Sequence, residues 1–234
     1  MTAYLKLAAI GASAFALAAC TQTGTTERNA AYGAAAGAAA GAVIGNNVGD
    51  GDAQRYKQFC VGRHRVFERR GISEHDYPAA TVVGNLGKTL HLQALASRDV
   101  THTLENPRQV NAYEYPRRFG PRSPSFSRAV QWHDLTLVSG TAAVRGADSQ
   151  YPGDLARQCQ DIHYNLASLM NQSEDASELP LRLTYGRIYL RPGCNLAALD
   201  TAVREHLPYA AHWPVLEAEI CREELLCEVE AAFQ

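Results

Sequence analysis

Residues 104–146 read LENPRQVNAYEYPRRFGPRSPSFSRAVQWHDLTLVSGTAAVRG. The stretch changes character at Arg128. Before it, Arg108, Arg117, Arg118 and Arg122 stand with Arg128 against only Glu105 and Glu114, and Pro107, Pro116, Pro121 and Pro124 lie among them. Proline locks φ and has no N–H to donate, so this half is neither helix nor central strand. It is a stiffened loop carrying cations and the aromatics Tyr113, Tyr115 and Phe119. Guanidinium forks match carboxylates bidentately, so the loop suits a small anionic ligand. A solvated basic loop is the alternative. After Arg128, segments 129–132 and 135–141 predict a β-hairpin turning at His133-Asp134.

Working outward toward the C-terminus, Leu155, Cys159, Ile162, Leu166 and Leu169 recur at helical spacing, which predicts a helix over 154–170. Residues 183–191 alternate, with Leu183, Tyr185, Arg187, Tyr189 and Arg191 on one side of a strand. Asn195 can cap a second helix through Leu196, Leu199, Val203 and Leu207, stopped by Pro208. Segments 215–222 and 225–230 predict two more strands joined at Glu223-Glu224. The order ββαβαββ gives an α+β layer, one sheet with two helices on one face. Upstream, Tyr56, Phe59, Val66 and Phe67 predict a short amphipathic helix ending near Gly71, and 80–93 reads as strand, turn, strand.

The remainder of the chain carries a different signal. Residues 1–20 hold one early cation, Lys6, an apolar run from Leu7 to Leu17, and small residues ending at Cys20. That is the pattern of a secretory signal peptide, and Leu17-Ala18-Ala19-Cys20 resembles a bacterial lipobox with Cys20 as the lipidated residue. An apolar N-terminal helix is the alternative. In 21–53, Gly33, Gly37, Gly41, Gly45 and Gly49 are spaced by four among alanines, either a glycine zipper that lets backbones approach closely or an Ala/Gly linker. Composition changes at Gln54, so the expected divisions are 1–20, 21–53, 54–124 and 125–234.

With 46% apolar and 20% charged residues the chain is globular, and its net charge of −2 argues against a general nucleic-acid binder. Cys60, Cys159, Cys194, Cys221 and Cys227 form an odd set without CxxC spacing and resemble thiols of a reducing compartment, a cytoplasmic signature opposed to the exported leader. The eight histidines are scattered. No metal motif, P-loop or dinucleotide fingerprint is present, so neither a metal nor a cofactor is expected.

Several segments, in order, carry a family likeness: PAAT at 78–81, ENPRQ at 105–109, AYEYP at 112–116, FGPRSPSFSRA at 119–129, SGTA at 139–142 and ICREELLCEVE at 220–230. They resemble the chorismatases, a branch of the YjgF/Rid superfamily, from about Gln54 to the end. The resemblance implies a Rid-like (chorismate-mutase-like) sheet preceded by a partial N-terminal subdomain at 54–124. Rid deaminases carry an arginine just after a proline in the penultimate strand. Here Pro214 is followed by Val215 and Leu216, which points away from deamination.

Chorismatases cleave the enolpyruvyl ether of chorismate without a cofactor. They release pyruvate and leave a 3- or 4-hydroxybenzoate or a dihydroxycyclohexadiene carboxylate. The resemblance makes Glu228 the acid that protonates the enol-ether methylene. The alternation of 225–230 places Leu226, Glu228 and Glu230 on one face, where burial and the like charge of Glu230 should raise the Glu228 pKa. A solvated edge face is the alternative. Tyr115, Arg118, Arg128 and Arg191 are expected to hold the substrate carboxylates, unless the arginines lie on the surface. By resemblance Gly140 and Cys221 line the pocket, although Cys221 could be an ordinary buried thiol. The leader supports another function, an envelope lipoprotein with a degenerate Rid-like ligand-binding module, held at a membrane through Cys20 and the zipper. A shortened N-terminus would also re-expose surface that drives homo-oligomer formation.

Overall fold

A computed structural model describes residues 45–47, 53–84, 94–97, 99–171 and 183–234. The expected signal peptide, Cys20 and most of the glycine-zipper stretch lie outside the described residues. The elements in chain order are β1 (Gly45–Asn47), α1 (Ala53–Arg70), β2 (Thr81–Val83), β3 (His102–Leu104), β4 (Ala129–Trp132), β5 (Leu135–Ala142), β6 (Val144–Arg145), β7 (Asp148–Ser149), α2 (Leu155–Asn171), β8 (Leu183–Leu190), α3 (Leu196–His206), β9 (Val215–Glu217) and β10 (Cys227–Phe233). Six strands form one sheet in the order β3-β4-β5-β10-β8-β9. Only the β8–β9 pair in it is parallel.

The apolar periodicity builds the core as expected. Cys159, Ile162, Leu166 and Leu169 of α2 and Leu199, Ala202 and Val203 of α3 pack on Val138, Ile188, Cys227, Val229, Ala231 and Phe233 of the sheet. Both helices therefore cover one face, the α+β layer read from the sequence. Asp154 accepts from the Arg157 N–H at 3.0 Å and Asn195 from the N–H groups of Ala197 and Ala198, so each helix opens on a side-chain cap. His133, at φ 54°, makes the expected turn between β4 and β5. Gly71, at φ 65°, ends α1.

Two expectations are corrected. Segments 215–222 and 225–230 are not a hairpin: β9 is a parallel edge strand on β8, while β10 lies in the middle of the sheet. Alternation alone cannot distinguish an adjacent partner from one across β8. Residues 45–47, read as part of the glycine-spaced 21–53 segment, form a short strand paired in parallel with β2. Of the strand-turn-strand expected over 80–93, β2 and the Gly84 bridge to Glu219 are observed, and 85–93 lies outside the described residues.

Gly186 of β8 is where an aromatic closes the core. A Cβ added there would stand 2.3 Å from the Trp213 ring, which packs in turn on Tyr209 at 6.0 Å. Gly186→Ala should displace that ring and lower stability by about 1–3 kcal/mol, a loss readable as a lower urea midpoint with unchanged slope.

Candidate active site

The sheet face opposite α2 and α3 is covered by α1, the 78–84 segment and the proline-arginine loop. Between them lies a cavity with Glu228 in its wall, lined by Tyr56 and Cys60 of α1, Tyr115, Phe119 and Phe126 of the loop, and Cys221 and Arg222 of the segment before β10. The loop is fixed from its first residues. Asn106 Nδ2 donates to the Asn165 carbonyl at 2.8 Å, Arg108 Nε donates to Asn165 Oδ1 at 3.0 Å, and Arg108 Nη2 pairs with Asp161 at 2.8 Å. Gly146 N–H donates to the Arg108 carbonyl and Val110 N–H to the Gly146 carbonyl. The first arginine of the loop is thus a clamp onto α2, and the following segment is carried over the sheet.

Alternation along β10 sends Cys227, Val229, Ala231 and Phe233 to the helices and Glu228 and Glu230 to the cavity side. The register between β10 and β5 shifts between Val229 and Ala231, so Ser139 and Gly140 together oppose Glu230. A bulge of this kind re-aims the backbone. Here it lays Gly140 against Glu228: a Cβ at Gly140 would meet Glu228 Oε1 at 1.9 Å. The bulge is tied to the neighbouring segment by Ala80 N–H donating to Ser139 Oγ at 2.8 Å and Gly140 N–H to the Ala80 carbonyl at 3.3 Å. Glycine is therefore demanded by the close approach of the carboxyl, not by an unusual φ.

Glu228 is 5% exposed. Burial, and then the charge of Glu230, push its pKa up to about 8, opposed by Arg128. Its neighbours are pushed toward their neutral forms as well. Burial, with Glu228 beside it, raises the Cys221 thiol to about 12, and burial raises the Tyr56 hydroxyl and the Cys60 thiol. A carboxyl favoured in its protonated form, beside a phenol and two thiols favoured in theirs, can act as a proton donor.

The arginines divide. Arg128, 6% exposed, lines the cavity. Its Nη2 donates to Tyr115 Oη and the Val110 carbonyl, each at 2.7 Å, and its Nε is buried without a partner. Tyr115, Gly140 and Cys221 line the same cavity. Arg118 does not. It is exposed and pairs with Asp148 at 2.7 Å. Arg191 does not line it either. Its guanidinium donates to the carbonyls of Leu225, Ile220 and Arg222 at 2.8, 3.1 and 2.6 Å and pairs with Glu219. Arg191 holds the 219–226 segment in shape instead of meeting a ligand. Cys221 reaches the cavity on this clamped segment.

Sequence reasoning missed Arg222, whose guanidinium stands 4.1 Å from the Phe119 ring and 5.0 Å from Tyr115, and donates to the Ala147 carbonyl at 2.7 Å. Its signal was its place beside Cys221. It also missed Tyr56, Lys57 and Cys60, which line the cavity at helical spacing along α1. Among the described residues no group of His, Cys, Asp or Glu side chains is arranged to hold a metal.

The α+β sheet with a buried acid beneath a basic, aromatic loop belongs to a chain that is similar to proteins named chorismatase and 3-hydroxybenzoate synthase. Residues 42–96 match the family described as chorismatase FkbO/Hyg5-like, N-terminal, and residues 1–62 match the YMGG-like Gly-zipper family. The chain is 34% identical over 190 residues to the 3-hydroxybenzoate synthase of Streptomyces hygroscopicus and 33% identical over 190 residues to a chorismatase of Streptomyces rapamycinicus. Each match covers 75% of this chain and 56% of the relative, so the chain spans little more than half the length of these relatives. A chorismatase crystal structure aligns with a TM-score of 0.71 at 25% identity, covering 82% of this chain and 64% of its own.

Because the folded state holds the Glu228 proton more tightly than the unfolded chain, Glu228 favours folding fully below its ordinary value of 4.5. That contribution is lost as pH rises to about 8. Glu228→Gln should therefore lose less stability than the parent between about pH 5 and about pH 9 in urea unfolding. An identical pH dependence in both proteins would place the carboxyl in solvent.

Proposed function

We propose that the chain is a chorismatase-type enzyme that cleaves the enolpyruvyl ether of chorismate and releases pyruvate. The observation that carries this reading is the buried Glu228, its pKa raised by that burial, set against Gly140 in the wall of a cavity lined by Arg128, Arg222 and aromatic rings. The difficult event in the reaction is protonation of the methylene carbon, which generates an oxocarbenium-like centre. Glu228 supplies that proton, and the carboxylate left behind stabilises the cation. Water adds to the cation and returns a proton to Glu228, giving a hemiketal; collapse of the hemiketal, with its hydroxyl proton passing to the ring oxygen, breaks the ether C–O bond and frees pyruvate. Arg128, with its unpartnered Nε, and Arg222 are the groups assigned to the substrate carboxylates, and Tyr115 orients Arg128. Gly140, Cys221 and Cys60 shape the space around the ring.

The test is pyruvate release by the purified chain on mixing with chorismate. Glu228→Gln should reduce the rate by at least about 100-fold, the usual worth of a general acid. The parent rate should fall as pH rises through about 8, since the acid must be protonated. Equal rates in parent and variant would remove Glu228 from the chemistry.

The match of residues 1–62 to a glycine-zipper family supports an envelope association for the leader. Within the same proposal, residues 1–20 are a signal peptide, Cys20 is the lipidated residue, and 21–53 forms the membrane-associated segment. Residues 54–124 and 125–234 are then the N-terminal subdomain and the catalytic layer. No helix among the described residues is long and apolar enough to cross a membrane. Exposed Tyr185, Val215 and Leu216 at the β8–β9 edge offer a surface for association of copies, which light scattering would read. Labelling cells with a lipid precursor should mark the parent and not Cys20→Ala; absence of label on both would exclude the lipid anchor.

A further inference from the structure

Glu228 and Glu230 leave the same face of β10 two residues apart, 5% and 2% exposed. Two carboxyls on neighbouring same-face positions of a buried strand disfavour each other's ionisation, so where a proton on the pair resides is set by their surroundings. Their surroundings differ. Arg187 and Tyr189 of β8 stand opposite Glu230 and Glu228 in the strand register, and both reach Glu230. Arg187 Nε lies 3.0 Å from Glu230 Oε1, and Tyr189 Oη donates to Glu230 Oε2 at 3.1 Å. The Arg187 Nε–H is itself directed to Tyr185 Oη at 2.8 Å, and Arg187 Nη1 reaches Tyr189 Oη at 3.5 Å. The guanidinium is thus fixed from two sides. Glu228 has no such cation in contact. Facing it are the Gly140 backbone, Tyr56 and Cys60 of α1, Cys221 and Arg222 of the clamped segment, and Arg128, whose Nη2 is engaged by Val110 and Tyr115. Pairing with a cation and accepting a hydrogen bond both favour the ionised form of a carboxyl.

We propose that Glu228 and Glu230 form a carboxyl pair that holds one proton, and that Arg187 and Tyr189 assign that proton to Glu228 by holding Glu230 as the anion. Arg187, Tyr189 and Glu230 are positioning residues: none lines the cavity, and each acts through the acid. This rests on the reading of Glu228 as the general acid and extends it to a second strand of the sheet.

The measurement is a ¹³C NMR titration of glutamate side-chain carboxyls in the full chain, with signals assigned from Glu228→Gln and Glu230→Gln. In the parent, the Glu228 signal should titrate near pH 8. In Arg187→Gln the step should appear in both signals, because the proton is then shared, and Tyr189→Phe should show the same change in smaller degree. In Glu230→Gln the Glu228 midpoint should fall by about one pH unit or more. Glu228 titrating alone with an unchanged midpoint in all three variants would overturn the proposal. If Arg187→Gln does not fold, Tyr189→Phe and Glu230→Gln decide the matter. The titration needs no turnover, so absence of pyruvate release would sink the proposed reaction and leave this test standing.

Discussion

Strand β10 runs through the middle of the sheet, hydrogen-bonded to β5 on one side and β8 on the other, and carries two acidic side chains on the face away from the helices. A carboxyl buried there must find cations, keep a proton, or disrupt the sheet. Glu230 is met by Arg187 and Tyr189. Burial favours the protonated form of Glu228, which is pressed on the Gly140 backbone by the bulge in β5. Much of the remaining structure serves that burial. The α1 helix and the 78–84 segment cover the face, the proline-arginine loop closes it, and Arg191 holds the 219–226 segment that brings Cys221 and Arg222 to its edge.

Arginine has three distinct uses in this chain, and the difference lies in what surrounds each guanidinium. Arg108 and Arg191 spend their N–H groups on carbonyls, amides and carboxylates of the protein, and fix backbone. Arg118 sits in solvent, where a pair with Asp148 contributes little. Arg128 and Arg222 lie against aromatic rings at the cavity, with Arg128 retaining a free buried N–H. A guanidinium that is desolvated but not fully satisfied is the one prepared to receive a ligand carboxylate.

The layer was legible in the sequence because its periodicities are strong. The stripe Leu155–Cys159–Ile162–Leu166–Leu169, the Asn195 cap and the His133-Asp134 turn each have one economical reading, and each is observed. The split of β10 into a helix-facing and an acid-bearing side was legible for the same reason. Pairing was not. Alternation in 215–222 says nothing about which strand lies beside it, so the parallel edge position of β9 was read as a hairpin. The fate of each arginine was also hidden, since Arg118 and Arg128 differ in contacts made by residues far along the chain, Asp148 in one case and Val110 and Tyr115 in the other. The contribution of α1 escaped because a helix pattern locates an apolar face without naming what it covers.

In the proposed reaction the carboxyl of Glu228 gives its proton to the methylene carbon of an enolpyruvyl ether. Turnover of chorismate in D₂O tests it most directly, because the exchangeable deuteron on Glu228 becomes part of the product. The expected product is pyruvate carrying one solvent deuterium in its methyl group, seen by NMR at early times before exchange. Pyruvate formed with a fully protonated methyl group would mean that the hydrogen came from the substrate ring, and would contradict the assignment of Glu228 as the acid.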